Sequence, residues 1–406
     1  MNILYITPRL PYPLDTGAKI RTFHLIKNVS KFHSVTLLSF YEKQEELDYI
    51  PKLQEYCKEI IPILNRSTHG IHLLGRLALS LIDTLPFCVA KYTSESMRYE
   101  LERLLKGRKF DVVHFDHLHM GQYLSSIDGL PTVVDGHNVE YRIWQRYWQK
   151  EGNPAKKAYI GQQARKLKKF EAKICQNASL YTTVSEMDRS EVLSIASKAK
   201  VAVIPNGVDT NYFHPTSYNL SPTASNLQPN SLVFVGSMDW LPNDDAMTYF
   251  CQEIFPLIEK EIPDVKLYIV GRNPSSRLSR YQKQNIIITG LVPDVQPYMA
   301  KAAVSIAPIR IGGGTRLKIL EAMAMKKPVI STSVGAEGIE TTPGKDIIIA
   351  DDPIDFAKGV IHILKNPELG EKLGENGRKL VKEKYEWEII GKKLSMIYED
   401  LINPMT

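Results

Sequence analysis

Short runs of apolar, often β-branched residues recur along the chain, and each run ends near a residue that favours a turn. In the first half of the chain these runs occupy 3–8, 34–41, 59–64, 111–117, 132–138, 180–185 and 201–207. Segments of helical length and periodicity lie between most of them. Strands that alternate with helices in this way predict a parallel sheet covered by helices on both faces.

The pattern changes after residue 207, and then the same alternation starts again. Residues 206–231 are rich in Asn, Ser, Thr and Pro, which is typical of a linker. A second series of apolar runs follows at 232–237, 265–271, 285–290, 304–308, 328–332 and 346–351. We therefore predict an α/β protein made of two Rossmann-like, doubly wound domains that face a central cleft.

The predicted boundaries follow from these two series. The N-terminal domain takes 1–207, the linker 208–231 and the C-terminal domain 232–385. Residues 386–406 carry an apolar stripe and are expected to form a last helix that packs back on the N-terminal domain. In sheets of this kind ligands bind beyond the carboxyl ends of the strands, where glycine turns follow the apolar runs.

Composition and charge narrow the class of protein. A net charge of +6 over 406 residues is modest and does not demand nucleic acid, which would usually leave a more concentrated basic stripe, so we predict no nucleic-acid partner. The four cysteines are scattered without metal-binding spacing, which is typical of reduced thiols in the cytoplasm. The N-terminus lacks a signal-peptide pattern, and no apolar run has the roughly 18–20 residues of a membrane span.

Two segments favour contact with an anionic membrane surface. Residues 71–82 form an apolar helix candidate. Residues 154–174 carry seven basic side chains, at Lys156, Lys157, Arg165, Lys166, Lys168, Lys169 and Lys173. A basic helix beside an apolar helix can bind anionic lipid, which would place the protein on the inner face of the cell membrane. A core helix beside a solvated helix face would give the same pattern, so both interpretations remain open.

The segment IGGGTRLKILEAMA, residues 311–324, does not have the pattern of ordinary core. Three glycines precede a helix-like run, with Thr315 expected as the N-cap residue. Arg316 and Lys318 follow at the start of the helix, where the helix dipole disfavours a cation by about 0.3–1 kcal/mol. Backbone N–H groups and two cations at one helix start indicate a site for an anionic ligand such as a phosphate.

Glu321 adds a second feature to this site. It lies three residues after Lys318 and so shares a face of the helix with it. A carboxylate cannot bind phosphate, but it can accept hydrogen bonds from two neighbouring hydroxyls. A diphosphate next to a ribose diol would therefore satisfy Arg316, Lys318 and Glu321 together. The alternative is that Lys318 and Glu321 form a surface ion pair and that the glycines only make a turn.

At these residues the sequence resembles a known family. The segment GGGTRLKILEAMAMKKPVIST (312–332) is similar to retaining glycosyltransferases of the two-domain GT-B class, in particular to group 1, or family 4. So are VIPNGVD (203–209), LVFVGSMDWLPN (232–243), VKLYIVG (265–271) and GLVPDV (290–295), and the resemblance covers nearly the whole chain. It implies transfer of a sugar from a nucleoside-diphosphate sugar to an acceptor hydroxyl, with retention of the anomeric configuration.

The resemblance also indicates partners. The acceptor is expected to be a glycan, a glycolipid or a small molecule, and the reaction to belong to glycolipid, exopolysaccharide or other glycan biosynthesis. No DxD-type cluster accompanies the donor motifs, so we predict no metal and no other cofactor.

In the C-terminal domain the resemblance gives individual residues a role. Glu321 corresponds to the second glutamate of the family's E-x7-E motif and would hold the ribose hydroxyls. Arg316 and Lys318 would hold the diphosphate. The turn at Gly236 and Ser237 is also expected to bind substrate, although the Arg and Lys that many relatives have there for the diphosphate are absent from this sequence.

This chain departs from the family at the first glutamate of that motif, which would fall at Gly313. The backbone N–H groups of Gly312, Gly313 and Gly314 are expected to contact the donor in its place, and Thr315 belongs to the same substrate-binding turn. Val292, in GLVPDV, would lie against the nucleotide base.

In the N-terminal domain Gly17 follows the first strand, and its backbone would let the loop approach the transferred sugar closely. Arg21 lies one helical turn further on and is expected to bind substrate. His137 and Asn138 stand at a strand end, and His137 corresponds to the family histidine that faces the donor sugar. Asp135 could orient His137, and a buried capping role for Asp135 fits equally well.

Three histidines in one run, His114, His117 and His119, have a spacing that could suggest metal ligands. We predict no metal site there, because the run lacks a set of carboxylate partners.

Two other kinds of function remain open on the sequence alone. The first is a different enzyme on the same fold, a sugar-nucleotide epimerase or a glycan phosphorylase, although no motif marks the pyridoxal lysine of a phosphorylase. The second is a non-catalytic nucleotide-sugar-binding subunit, which the missing glutamate at Gly313 favours.

Overall fold

The computed structural model describes residues 1–66, 75, 77, 79–215, 230–312 and 314–403. The chain divides into two compact units. Unit 1 contains Met1–Asn206 and Trp387–Thr406, and unit 2 contains Gly207–Glu386. The predicted linker at 208–231 falls for the most part on residues 216–229, which lie outside the described residues.

Unit 1 is built on a parallel sheet of seven strands with the spatial order β3-β2-β1-β4-β5-β6-β7. The strands are β1 (Asn2–Thr7), β2 (Ser34–Tyr41), β3 (Glu59–Leu64), β4 (Val112–Asp116), β5 (Thr132–Asp135), β6 (Leu180–Thr183) and β7 (Val201–Val203). Each strand lies within or overlaps one of the seven apolar runs predicted for this half of the chain. Parallel strands that are buried on both faces leave this continuous apolar pattern in a sequence.

Unit 2 repeats the plan with six parallel strands in the order β10-β9-β8-β11-β12-β13. They are β8 (Ser231–Val235), β9 (Lys266–Val270), β10 (Ile286–Gly290), β11 (Val304–Ala307), β12 (Val329–Ser331) and β13 (Ile348–Ile349). The prediction of two Rossmann-like parallel sheets is therefore confirmed.

Helices connect the strands in both units. Those of unit 1 are α1 (Gly17–Val29), α2 (Ile50–Gln54), α3 (Phe87–Ala90), α4 (Glu95–Gly107), α5 (Glu140–Lys150), α6 (Pro154–Asn177) and α7 (Glu186–Ile195). Those of unit 2 are α8 (Leu241–Tyr249), α9 (Phe255–Glu261), α10 (Ser276–Ser279), α11 (Gln296–Lys301), α12 (Leu317–Ala324), α13 (Ser333–Ala336), α14 (Pro353–Lys365) and α15 (Pro367–Lys384). Several begin at side-chain caps; Asn153, for example, accepts a hydrogen bond from the backbone N–H of Lys156 at the start of α6.

The last helix, α16 (Trp387–Ile402), belongs to unit 1 and packs against α1. Gly391 allows a close approach, since a Cβ at this position would lie 2.2 Å from the Cβ of Asn28. The Trp387 ring stacks on His24 with the ring centroids 5.1 Å apart. These contacts bury the apolar stripe of the helix.

Side chains alternate between the two faces of each sheet along a strand, and apolar clusters cover both faces. In β1, for example, Leu4 and Ile6 pack in one apolar cluster, and Ile3 and Tyr5 pack in another. In each sheet the strand order reverses next to the first strand, between β1 and β4 in unit 1 and between β8 and β11 in unit 2. Loops that follow these strands diverge, which makes the two reversal points the places where ligands bind in such folds.

Candidate active site

The turns after β8 and β9 lie unusually close together in unit 2. Gly236 follows β8 and Gly271 follows β9, and a Cβ at Gly271 would lie 1.8 Å from the Gly236 carbonyl oxygen. Gly271 also has a φ of 150°, which residues with a side chain rarely adopt. Ser237 is fixed in the same turn, because Arg272 donates to its hydroxyl at 2.9 Å and Asn243 donates to its carbonyl at 2.8 Å.

The connection between β11 and α12 contains two glycines with positive φ angles, which residues with a side chain rarely adopt. Gly312 has a φ of 142° and Gly314 a φ of 68°, while Gly313 lies outside the described residues. Thr315 is not the N-cap, so that prediction is wrong: Arg316 takes the extended N-cap backbone and the helix starts at Leu317. The glycine turn is thus one residue longer than the capping rule suggested, and Arg316 belongs to it.

The side chain of Arg316 folds back over the glycine turn. Its guanidinium donates to the carbonyl of Gly314 and, at 3.4 Å, to the carbonyl of Val334. One of its nitrogens is 3.9 Å from the carboxylate of Glu337. A cation is therefore held at the turn, where the sequence predicted a phosphate site.

Lys318 extends from the first turn of α12 to the turn after β8. Its Nζ donates to Oδ1 of Asn243 at 2.7 Å and lies 3.8 Å from the centroid of the Phe234 ring. A Cβ at Gly236 would lie 2.7 Å from Nζ. The start of α12 and the turn after β8, which are far apart in the sequence, therefore meet here. Burial and the neighbouring Arg316 lower the pKa of Lys318 to about 7, while Glu321 acts in the opposite direction.

Two polar groups near the start of α12 lack a partner among the described residues. The half-buried carboxylate of Glu321 forms no hydrogen bond and no ion pair with any described residue. Burial raises the pKa of Glu321 to about 7, against the influence of Lys318. The hydroxyl of Thr315, a residue only 8% exposed, also has no hydrogen-bond partner in the part of the chain that the structure describes. Unsatisfied buried polar groups of this kind are costly and point to a ligand or water.

Val292, the residue predicted to lie against the base, follows β10 in unit 2. It packs, partly buried, on an apolar cluster that contains Val233, Tyr268 and Tyr298. Its contact with a base remains a prediction.

Arg21 has a structural role in unit 1, and the prediction that it binds substrate is wrong. It is 1% exposed, and its guanidinium forms a two-pronged ion pair with Asp135, with both nitrogen–oxygen distances at 2.8 Å. The remaining N–H groups donate to the carbonyls of Ile204 and Pro205 and to the side chain of Asn206. All five donors are used, so none is available to a substrate.

His137 lies between two carboxylates at the carboxyl ends of β4 and β5. Its Nε2 is 2.9 Å from Oδ1 of Asp116 and 3.3 Å from Oδ2 of Asp135. Burial disfavours the imidazolium, but Asp116 and Asp135 outweigh burial and raise the pKa of His137 to about 9. Asp135 therefore orients His137 and also anchors Arg21 through an ion pair, which differs from the capping role that was its alternative interpretation. The sequence reasoning missed Asp116, although it lies within the histidine-rich run.

The three histidines of that run separate in the fold. His114 lies in the core, where its Nδ1 is 2.7 Å from the Tyr398 hydroxyl and its ring stacks on Tyr5. His117 and His119 follow β4, and the His117 ring lies 3.6 Å from the His137 ring between centroids. Carboxylate partners do exist here, contrary to the sequence reasoning.

Asp116, His117 and His137 could in principle hold a metal ion, since their ligand atoms lie within 4.8 Å of one another. Two imidazoles that bind one zinc ion at about 2.0–2.1 Å keep their centroids roughly 5 Å apart. The 3.6 Å stacking and the two carboxylates on Nε2 of His137 do not suit such an ion. The absence of a metal remains a prediction.

Gly17 and Asn138 lie near this group in the chain. Gly17 is the exposed first residue of α1, and its neighbours Thr16 and Ala18 line a cavity next to Asp116. The half-buried side chain of Asn138 hydrogen-bonds Glu140 at the start of α5. Contact of either residue with substrate remains a prediction.

His137 is expected to stay protonated at neutral pH, because its folded-state pKa of about 9 lies above the unfolded value of about 6.5. The stability from its ion pairs is then complete below about pH 6.5 and is lost as the pH rises through 9. Nitrogen-15 NMR of the imidazole groups measures this directly. His114, whose pKa burial lowers to about 4, is the internal control and should be neutral at pH 7. A neutral His137 at pH 7 would contradict the assignment.

Comparison with known proteins agrees with the geometry of both units. Residues 16–212 match the family model described as Glycosyltransferase Family 4, and residues 229–366 match the model described as Glycosyl transferases group 1. An uncharacterized 44.6 kDa protein in the cps region of Klebsiella pneumoniae is 25% identical, over 95% of this chain and 96% of that protein.

Two solved structures show the fold. Sucrose-phosphate synthase from Thermosynechococcus elongatus superimposes with a TM-score of 0.72 over all of both chains, at 17% identity. Anabaena Alr3699/HepE in complex with UDP-glucose superimposes with a TM-score of 0.66 over 98% of this chain and all of that chain, at 12% identity. With both parts of the sequence matched and both parallel sheets in place, the chain belongs to the group 1, or family 4, glycosyltransferases of the GT-B fold class.

Proposed function

We propose that this glycosyltransferase moves a sugar from a nucleoside-diphosphate sugar to an acceptor hydroxyl, with retention of the anomeric configuration and without a metal. Unit 2 binds the donor at the start of α12, and unit 1 binds the acceptor beyond β4 and β5. The acceptor is a glycan, a glycolipid or a small molecule. The UDP-glucose in the structurally similar Anabaena protein supports a nucleotide sugar as the donor.

The observation that carries the donor site is the set of unsatisfied polar groups around α12. The Glu321 carboxylate and the Thr315 hydroxyl lack partners among the residues that the structure describes, and Lys318 lies beside them. Arg316 and Lys318 supply positive charge, and Glu321 supplies an acceptor for two hydroxyls. A ribose diphosphate matches this order of charge and hydrogen bonding.

The same groups suit the chemistry of the leaving diphosphate. Negative charge grows on the diphosphate as the bond to the sugar breaks. Arg316 and Lys318 are already held in place by protein contacts, so they stabilise that charge with little reorganisation. A histidine with a pKa of about 9 is a donor rather than a base at pH 7, so His137 contacts the sugar, and the departing phosphate accepts the acceptor's proton.

A panel of nucleotide sugars tests the proposal. The matching compound, at 100 times its dissociation constant, should stabilise the protein by about 2.7 kcal/mol in a thermal shift assay. Release of the nucleoside diphosphate should then follow, slowly without an acceptor and faster with one, and should continue in EDTA. If no nucleotide sugar stabilises the protein, the donor site is wrong. Binding without any turnover would instead favour the non-catalytic subunit.

Retention has its own test. Proton NMR of the first product reports the anomeric configuration of the transferred sugar. The proposal predicts the configuration of the donor, and an inverted product would contradict it.

We also propose that unit 1 contacts an anionic membrane. No helix among the described residues has the length and apolar character to cross a bilayer. The predicted apolar helix at 71–82 includes residues 71–74, 76 and 78, which lie outside the described residues. The described part is exposed rather than core: Leu79 is 55%, Leu81 53% and Ile82 83% exposed.

This apolar segment rests on the basic helix α6. Lys166 donates to the carbonyls of Ser80 and Asp83, at 2.7 and 2.6 Å, and Gln162 donates to the carbonyl of Leu81 at 2.9 Å. Exposed cations follow along α6, at Lys156, Arg165, Lys168, Lys169 and Lys173. Apolar side chains beside positive charge favour a surface of anionic lipid.

Co-sedimentation with vesicles tests this surface. The wild-type protein should bind vesicles that contain phosphatidylglycerol, bind phosphatidylcholine vesicles weakly, and dissociate as salt is raised. The double variant Leu79→Ser/Ile82→Ser should lose binding, whereas Tyr99→Ser, at another exposed apolar residue of unit 1, should not. Equal binding to both lipids, or by the double variant, would reject the membrane proposal.

A further inference from the structure

Unit 1 contains a cavity of about 220 Å³ that the donor site does not explain. Its wall is formed by the residues after β1, the first turn of α1, Lys91 and Tyr92, and the residues after β4. This is the reversal point of the sheet, where a ligand is expected. Every described residue of the wall belongs to unit 1, whereas the proposed donor groups of α12 belong to unit 2.

Three cations line the cavity, namely Arg9, Lys19 and Lys91. Lys19 pairs with Asp15 at 3.2 Å. Neither Arg9 nor Lys91 forms an ion pair with a described residue. Lys91 lies over the ring of Tyr92, with Nζ 5.1 Å from its centroid, which keeps the ammonium beside the cavity.

The acidic side chains near Arg9 do not neutralise its positive charge. Burial opposes the charge of the guanidinium, but Tyr92, Glu42 and Glu46 offset burial, and the pKa of Arg9 is raised. Both glutamates lie beyond ion-pair distance from Arg9 and are not part of the cavity wall. Arg9 therefore remains a full positive charge that faces the cavity.

The negative charge in the cavity wall is already neutralised by an ion pair. Asp116 is the one carboxylate among the described lining residues, and it is paired with the protonated His137 at 2.9 Å. His117 and His119 are neutral: burial, then His137, lowers the pKa of His117 to about 3, and burial, then His117, lowers that of His119. The cavity is thus positive, with neutral imidazoles that can hydrogen-bond hydroxyl groups.

We infer that this cavity binds an acceptor that carries a phosphate group close to the hydroxyl that receives the sugar. Arg9 and Lys91 bind the phosphate, the first turn of α1 adds backbone N–H groups, and Asp116 and His119 lie where hydroxyls would reach them. A phosphate is favoured over a carboxylate because two unpaired cations, with Lys19 next to them, match a dianion. This inference rests on the proposed function, because the bound molecule is an acceptor only if the protein transfers a sugar to it.

Calorimetry with small probes tests the cavity without a donor. Glucose 1-phosphate and a short prenyl phosphate should bind the full-length protein, and glucose and glucuronic acid should bind at least tenfold more weakly. Preference for the prenyl phosphate would identify a lipid-linked acceptor, and preference for the sugar phosphate a soluble one. Both results support the inference. Equal binding of glucose or glucuronic acid, or no binding of either phosphate, would overturn it.

Substitutions in the cavity wall test where the phosphate probes bind. Lys91→Met and Arg9→Gln should each weaken phosphate-probe binding at least tenfold and leave UDP and GDP affinity within twofold of wild type. Lys106→Met, an exposed lysine at the end of α4, is the matched control and should change nothing. A parallel loss of UDP or GDP affinity in Lys91→Met would mean that the cavity holds the donor's diphosphate, which would overturn the inference. Failure of every nucleotide sugar would reject only the donor site, because the probes report separately.

Discussion

The Arg21→Met variant is expected to lose about 3–5 kcal/mol of its free energy of unfolding. The change keeps much of the side-chain volume but leaves the Asp135 carboxylate buried without its two-pronged partner. It also removes the hydrogen-bond donors to the carbonyls of Ile204 and Pro205. These two residues follow β7, at the end of the Met1–Asn206 segment of unit 1. Breaking one side of a buried charge pair is among the largest effects that a single substitution produces.

Urea unfolding followed by circular dichroism measures this loss. Arg103→Met is the matched control, because Arg103 pairs with Glu100 on the exposed face of α4 and should cost less than about 1 kcal/mol. In the variant Arg21→Met/Asp135→Asn the uncompensated charge is gone, so part of the lost stability should return. A loss below 1 kcal/mol for Arg21→Met would restore the interpretation of Arg21 as a ligand-binding residue.

Lys318→Met is expected to weaken binding of the matching nucleotide sugar roughly tenfold to 150-fold, which corresponds to 1.5–3 kcal/mol for a charged hydrogen bond. The fold should survive, since Lys318 forms one hydrogen bond with the described residues, to Asn243. Lys372→Met, at an exposed lysine of α15, is the control and should bind normally.

The pH dependence of donor binding should change in the same variant. The pKa of Lys318 is about 7, and the ammonium binds the diphosphate, so the contribution of Lys318 to affinity is largest below pH 7 and falls above it, while Glu321, with its pKa also about 7, gains its charge over the same range. Calorimetry at pH 6 and 8 should show a larger fall in affinity for wild type than for Lys318→Met. Unchanged affinity in Lys318→Met at both pH values would remove Lys318 from the diphosphate site.

The fold could be predicted well because parallel strands buried on both faces leave continuous apolar runs. All thirteen runs overlap a strand, although the strands at 201–203 and 348–349 are much shorter than their runs. Strand ends depend on where neighbouring strands stop, and a single sequence does not contain that information. The order of strands follows only from the general rules for right-handed crossovers.

The candidate donor residues of α12 could be named from the sequence, since a glycine turn, two cations and a carboxylate at helical spacing indicate an anion site, and their contact with a donor remains a prediction. Asn243 was not predicted, because it reaches Lys318 from α8, 75 residues away in sequence. Thr315 was assigned as the N-cap on residue type alone, and the N-cap is instead the next residue, Arg316.

In unit 1 the prediction of individual roles was weaker. Arg21 and Asp135 are 114 residues apart, and nothing local shows that they pair. Asp116 was not predicted, because the spacing of the histidines around it suggests metal ligands and no local pattern shows that Asp116 meets His137. Pairing across the sheet, rather than local spacing, decides which of these polar residues face a ligand.

The most direct test of the donor site compares two ligands in one variant. The account predicts that wild-type protein binds the matching nucleoside diphosphate more tightly than inorganic pyrophosphate, because Glu321 accepts hydrogen bonds from the ribose hydroxyls. In Glu321→Ala, calorimetry should show at least a tenfold loss for the nucleoside diphosphate and an unchanged affinity for pyrophosphate. An unchanged preference for the nucleoside diphosphate in that variant would contradict the account.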